Sequence, residues 1–416
     1  MLAPNEIAQT VIDPACYQDN RIHDALQWLR REMPVAKIVT EQHTPFWIVT
    51  RHADIMSAEL RPDDFCNSRM ATTLPTDFKN LPPAAANMPM PRVLTSMDGS
   101  DHRAFRRLTQ SYFAPQNIKK LEARIRELAR RSIDAMADAG GECDFMRDVA
   151  LMYPLRVIME ILGVPEADEA YMLKITQEIF GGEDKDLARS GDAEGARTGI
   201  RDAVMEAMGY FGAMVADRKR NPRDDLASVI ANGEIGGEPI GISEILGYYL
   251  ITATAGHDTT SNTTATGLWA LAERPELLAQ LKADASLLPG HVDESVRWAS
   301  AVRHFMRGAT LDTELGDAQI AKGDWMMLSY LSANRDERVF ENPFEYNVRR
   351  PQNKHLAFGY GPHVCIGQHL GRMEMRIFWE ELLPRLSSVE LAGEASLTAA
   401  TFVGGPKSLP VRYTMA

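Results

Sequence analysis

Phe358-Gly359-Tyr360-Gly361-Pro362-His363-Val364-Cys365-Ile366-Gly367 is the stretch that decides how this chain reads. A cysteine closes a glycine-punctuated loop, and a helical pattern, GQHLGRMEMRIFWEELL, starts directly after it and runs to about Leu383. The partial positive charge at a helix N-terminus stabilises thiolate, so this placement predicts a lowered thiol pKa. Glycines let main-chain N–H groups turn toward the sulfur without side-chain collision. Phe358 is placed to shield that sulfur with its ring. A lone cysteine is most often a buried small hydrophobe. A nucleophilic thiol assisted by His363 or His369, as in a cysteine hydrolase, is a further reading.

The whole phrase, F-x-x-G-x-H-x-C-x-G, separates these readings. It resembles the haem-binding loop of the cytochrome P-450 family. The resemblance implies that Cys365 is the axial ligand of the iron of haem b, because thiolate ligation favours O–O cleavage. It also implies the fold: a single domain over 1–416, mainly α with a smaller β part (α+β), with a long central helix over the haem.

Outward from the cysteine, Ala255-Gly256-His257-Asp258-Thr259-Thr260 lies within a long apolar run. Gly256 removes side-chain bulk, so that a ligand such as O₂ can approach the backbone. Asp258 and Thr259 put an acid beside an alcohol, a pair able to relay protons. An unpaired carboxylate in an apolar run is costly, which argues for a purpose. The stretch resembles the family's oxygen-activation motif, which implies Thr259 and Asp258 as the catalytic residues. Glu294 and Arg297 are spaced to share a helical face and pair. They resemble the family's E-x-x-R helix, with Arg350 as its third member and Arg349 as the neighbouring option. Haem propionates call for basic groups, and guanidinium suits carboxylate. By the resemblance these are His102, Arg106, Arg307 and His363, although Met97-Asp98-Gly99-Ser100-Asp101-His102 departs from the commoner D-P-P-x-H turn. The resemblance also places pocket walls at Ile251, Thr254, Ala255, Val302, Phe305, Phe402 and Val403, with the loop 71–95.

Composition is that of an ordinary soluble globular protein. The chain has 416 residues, 45% apolar and 25% charged, with a net charge of −12, which argues against nucleic-acid binding. Its four cysteines, Cys16, Cys66, Cys143 and Cys365, have no zinc-type spacing. The polar N-terminus predicts neither signal peptide nor anchor, and the most apolar window, Ile245 to Ala255, falls short of the ~20 residues a spanning helix needs. A cytoplasmic protein without a membrane partner is expected.

Periodicity predicts a hairpin from Ala36–Thr40 and Phe46–Thr50, and helices over 53–60, 102–113, 118–137 and 200–219. One continuous helix is expected from an N-cap at Ser243 to Glu273, about 45 Å long. β-like pieces are expected at Phe305–Thr310 and around the Lys322-Gly323-Asp324 turn, pairing 319–320 with 325–330.

The family resemblance makes the expected substrate a small neutral hydrophobe, terpenoid, terpene alcohol or aromatic, since it is similar to soluble bacterial members that hydroxylate monoterpene alcohols such as α-terpineol. With no flavin or dinucleotide fingerprint in the chain, the expected electron donor is a [2Fe–2S] ferredoxin with its NAD(P)H reductase. Arg103, Arg106, Arg107, Arg372 and Arg376 would steer that acidic partner. A peroxygenase or isomerase needing no external electrons, and a non-catalytic haem protein, are the alternatives.

Overall fold

A computed structural model describes residues 4–68, 72, 74, 91–188 and 193–416. Most of the loop expected at 71–95 lies outside the described residues. Its end forms a short turn of 3-10 helix at Leu94–Ser96.

Helices dominate from Gly99 to Ala299. Those expected from periodicity occur at His52–Glu59, Gly99–Gln110, Glu122–Asp138 and Ala193–Arg220. The apolar faces of the last three pack into one large cluster that includes Phe145, Tyr153, Leu268 and Trp379, and that of His52–Glu59 packs into a smaller cluster with Val49, Phe65 and Leu328. The Gly236-Gly237 pair, both at positive φ, turns a small hairpin between Glu234–Ile235 and Glu238–Pro239.

The expected continuous central helix is two helices, Ile242–Ala255 and Asp258–Glu273. The carbonyl of Ala253 faces Nδ1 of His257 at 3.1 Å, and that of Ala255 accepts from the Thr259 hydroxyl at 3.0 Å. Side chains thus take carbonyls that the helix ladder would use, and the backbone breaks at Gly256-His257. Nor does Ser243 cap the first helix. The N-cap is Gly241, and Ser243 instead accepts a hydrogen bond from the Arg92 main chain at 3.3 Å. The second helix crosses the core, with Ala265, Leu268 and Leu271 fully buried.

The main sheet has five strands in the order Val35–Ile38, Phe46–Val49, Trp325–Ser329, His304–Ala309, Phe65–Cys66. The first two form the expected antiparallel hairpin. The pairing expected around Gly323 does not occur. Ala318–Ile320 pairs with Thr313–Leu315, and Trp325–Ser329 lies between Phe46–Val49 and His304–Ala309. All five residues of Trp325–Ser329 are buried, so both of its faces and both of its edges are taken by distant chain. A second sheet joins Leu386–Leu391, Pro410–Met415 and Glu142–Asp144.

Candidate active site

The cysteine loop is built from its glycines. Gly361 has φ +66°, and a β-carbon there would stand 2.7 Å from the carbonyl oxygen of Glu59. Only glycine satisfies both the conformation and the approach. The loop closes when the Cys365 main chain donates to the Phe358 carbonyl at 2.8 Å. The next helix runs from Gln368 to Leu382 and crosses the second central helix where Gly371 lies against Thr260.

Cys365 retains accessible surface, yet burial is the largest influence on its thiol. Main-chain N–H groups of Gly367 and Gln368 point at the sulfur, and Arg106 and Arg372 add positive charge. The predicted lowering of the thiol pKa does not occur. Burial pushes it up and outweighs the N–H groups and arginines that favour thiolate. Coordination to a metal deprotonates such a thiol outright. The Phe358 ring is covered by the Arg372 guanidinium at 4.5 Å and lies 5.6 Å from the His355 ring, centroid to centroid.

Four basic side chains converge beside this loop. The His102 and His363 rings stand 4.0 Å apart. Arg106 donates to the Val364 carbonyl at 2.7 Å, and Arg307 pairs with buried Glu59 at 3.1 Å. Burial, together with His102, Arg307 and Arg106, drives the His363 pKa down to about 3. Burial and Arg106 likewise lower that of His102. Two carboxylates stand near this cluster, Glu59 against Arg307 and Asp98 at 3.9 Å from His363. The cluster fits a ligand that brings carboxylates of its own, as haem does, with Cys365 adjacent for its iron.

Behind the loop, Arg297 holds Glu294 through two hydrogen bonds of 2.8 and 2.7 Å, both side chains at 0% exposure. Arg350 adds a contact to the same carboxylate at 3.2 Å, whereas the Arg349 main chain turns to the Asn347 side chain. Arg297 also donates to the carbonyls of Asn334 and Pro343. Asn334 in turn accepts from the Leu356 main chain at 2.6 Å, just ahead of the cysteine loop. Asn334 was not singled out from the sequence, where nothing local marks it.

On the central helices, Ile251 is half-buried and Ala255 is exposed, although buried residues flank them. Thr254 beside them is 3% exposed and turns its hydroxyl to the Leu250 carbonyl. The space a side chain would need at Gly256 is occupied by Ile158, 2.4 Å from the ideal β-carbon. This glycine therefore admits the helix Met152–Leu162, a packing role in place of the ligand approach expected from sequence. Val302 bridges to Val403, and Phe402 meets Phe305 at 5.4 Å and Phe180 at 6.3 Å, forming an aromatic wall. Asp258, 7% exposed, pairs with His257 at 3.1 Å. Sequence reading passed over His257 because it occupies the variable place in its motif.

The sequence profile of the Cytochrome P450 family matches residues 18–398. Cytochrome P450-terp from a Pseudomonas species is 45% identical over 99% of this chain and 98% of its own length. Linalool 8-monooxygenase from Pseudomonas putida is 31% identical over 96% of this chain and 97% of its own. The crystal structure of CYP108D1 from Novosphingobium aromaticivorans superposes with a TM-score of 0.91 at 44% identity, each chain covered in full. The family match makes this class of protein a haem-thiolate oxidoreductase. This chain belongs to the cytochrome P450 family and is a monooxygenase of it, with haem b as its cofactor, held in the family by a cysteine thiolate. No helix among the described residues is long and apolar enough to cross a membrane.

Proposed function

We propose that this enzyme inserts one oxygen atom of O₂ into a C–H bond of a small neutral hydrophobic substrate: a terpenoid, a terpene alcohol or an aromatic hydrocarbon. The observation that carries this reading is the convergence of Cys365 with His102, Arg106, Arg307 and His363. When bound there, haem supplies the oxygen activation itself.

The chain's own groups do the rest. Cys365 ligates through Sγ, oriented by the N–H groups of Gly367 and Gln368. His102, Arg106, Arg307 and His363 hold the propionates. Glu294, Arg297 and Arg350 brace the loop from behind. The Thr259 hydroxyl donates to the Ala255 carbonyl and keeps its lone pairs for a hydrogen bond from the reacting side. Asp258 passes protons inward. Ile251, Ala255, Val302, Phe305, Phe402 and Val403 exclude water and orient an apolar molecule.

Electrons come from a [2Fe–2S] ferredoxin and its NAD(P)H reductase, in the cytoplasm. Arg103 and Arg107 support this, since both are exposed and have no ion-pair partner among the described residues. Arg372 and Arg376 are engaged with Asp293, Glu380 and Glu122, so they contribute less free charge.

A spin-state titration of the holoenzyme tests the substrate class. Terpene alcohols and alkylated arenes shift the iron toward high spin, and long-chain fatty acids leave it unchanged. A shift produced only by the acids contradicts the proposal. Product formed with ferredoxin and NADH, and not with peroxide alone, supports the electron source.

A further inference from the structure

We propose that His257 is a positioning residue for proton delivery: as a buried imidazolium it clamps one oxygen of Asp258 and leaves the other to carry the proton. This rests on the reading of Asp258 as the relay acid.

The argument begins with what surrounds the ring. His257 is 0% exposed and stands at the break between the central helices. Its Nδ1 faces the Ala253 carbonyl at 3.1 Å. A carbonyl oxygen only accepts, so Nδ1 carries hydrogen. Its Nε2 lies 3.1 Å from Asp258 Oδ1 and 3.2 Å from the hydroxyl of Thr176 on the packed helix Glu169–Phe180. The Thr176 hydroxyl donates within its own helix, to the Met172 carbonyl at 2.9 Å, and so offers lone pairs to the ring. Acceptors therefore face both nitrogens, and the ring satisfies them only with two N–H groups, which makes it a cation. Burial alone would favour the neutral ring. The charge and hydrogen bond of Asp258, with the Ala253 carbonyl, outweigh it, and the pKa is raised. Of the groups facing the ring, Thr176 and Ala253 are uncharged and Asp258 is the counter-ion.

The other half of the argument is Asp258 Oδ2, which is buried without a hydrogen-bond partner. An unpaired polar atom there is costly unless it serves a purpose or meets water. A cavity of about 60 Å³ is lined by Asp258, Asn262, Gln177 and Lys407. That is room for about two waters, beside polar groups on a wall otherwise made of apolar side chains such as Met146, Leu151, Phe180 and Leu187. Lys407 pairs with exposed Asp186 at 2.6 Å, which connects the far wall to the surface. A clamped Oδ1 and a free Oδ2 thus give the carboxylate one orientation and one route for protons. Without His257, Asp258 Oδ1 loses the partner that fixes it, and the carboxylate is free to rotate.

The clamp has a defined pH dependence. A raised imidazole pKa means the cation is present at low pH and lost as pH rises through the raised value.

The test uses the holoenzyme with a surrogate [2Fe–2S] ferredoxin and reductase, and a substrate that gives the spin-state shift. It measures product per NADH and the peroxide released, from about pH 6 to pH 9. Asp258→Asn is the reference variant. His257→Leu lowers product per NADH at least about tenfold, with peroxide rising in its place. His257→Gln, which can donate one hydrogen bond without charge, recovers part of the loss. Wild-type coupling falls as pH rises, and the His257→Gln profile is flat. Haem content and the spin-state dissociation constant stay within about twofold of wild type in both variants. If both variants couple like wild type while Asp258→Asn uncouples, the clamp is refuted and the relay reading stands. If Asp258→Asn couples normally, the relay reading itself fails. Lost haem or substrate affinity with normal coupling in the remaining holoenzyme assigns His257 a packing role and also overturns the proposal.

Discussion

Cys365→Ala removes the CO-difference band of a thiolate-ligated haem and reduces product formation to background. The loop itself survives the change, because the hydrogen bond that closes it runs from the main chain of Cys365 to the Phe358 carbonyl. Its shape is set by Gly361 against Glu59 and by Asn334 holding Leu356. His102, Arg106, Arg307 and His363 are also unchanged, so porphyrin still associates, more weakly. The effect is therefore specific to ligation: a folded protein with a normal unfolding midpoint before haem is added, and no thiolate spectrum afterwards. Parallel measurement of thermal unfolding, haem content and the reduced-CO spectrum separates this from simple misfolding. A thiolate band that persists in the alanine variant contradicts the assignment.

The second large effect is structural. Arg297→Ala leaves Glu294 as a buried carboxylate with Arg350 as its remaining guanidinium partner, and it frees the carbonyls of Asn334 and Pro343. Removing one partner of a fully buried pair costs about 3–5 kcal/mol, because the charge left behind cannot be resolvated. A protein of ordinary stability has only about 5–15 kcal/mol in total. The variant accumulates poorly and without haem, and its urea unfolding midpoint falls sharply. Arg297→Lys rescues little. An ammonium cannot reach both oxygens of Glu294 and two separate carbonyls, as the guanidinium does. Unchanged urea midpoints in both variants would show that the pair has no bracing role.

What the sequence disclosed and what it hid follow from the range of the forces involved. The cysteine loop was legible because its glycines and its cysteine lie within ten residues of one another, with Gly359 and Gly361 both at positive φ. Its distant supports, Glu59 and Asn334, were not legible. The Glu294–Arg297 pair was legible for the same reason, being one helical turn apart. The break at Gly256-His257 was hidden because the apolar run continues through it. What interrupts the ladder is a pair of side-chain hydrogen bonds, from His257 and Thr259. The pairing of Trp325–Ser329 was misread because a strand buried on both faces carries no alternation, and its partners lie elsewhere in the chain. The strand Glu142–Asp144 was missed because it exists only by pairing with Pro410–Arg412 at the other end of the sequence. The thiol pKa was misjudged because a helix N-terminus can be read from sequence, but the depth of burial that outweighs it cannot.

The claim under all of this is a bond between the sulfur of Cys365 and iron. X-ray absorption at the iron edge of the purified, substrate-free holoenzyme reads that bond directly. The account predicts one sulfur scatterer in the first shell, lost in Cys365→Ala. A first shell of nitrogen and oxygen alone in the wild-type protein would contradict it.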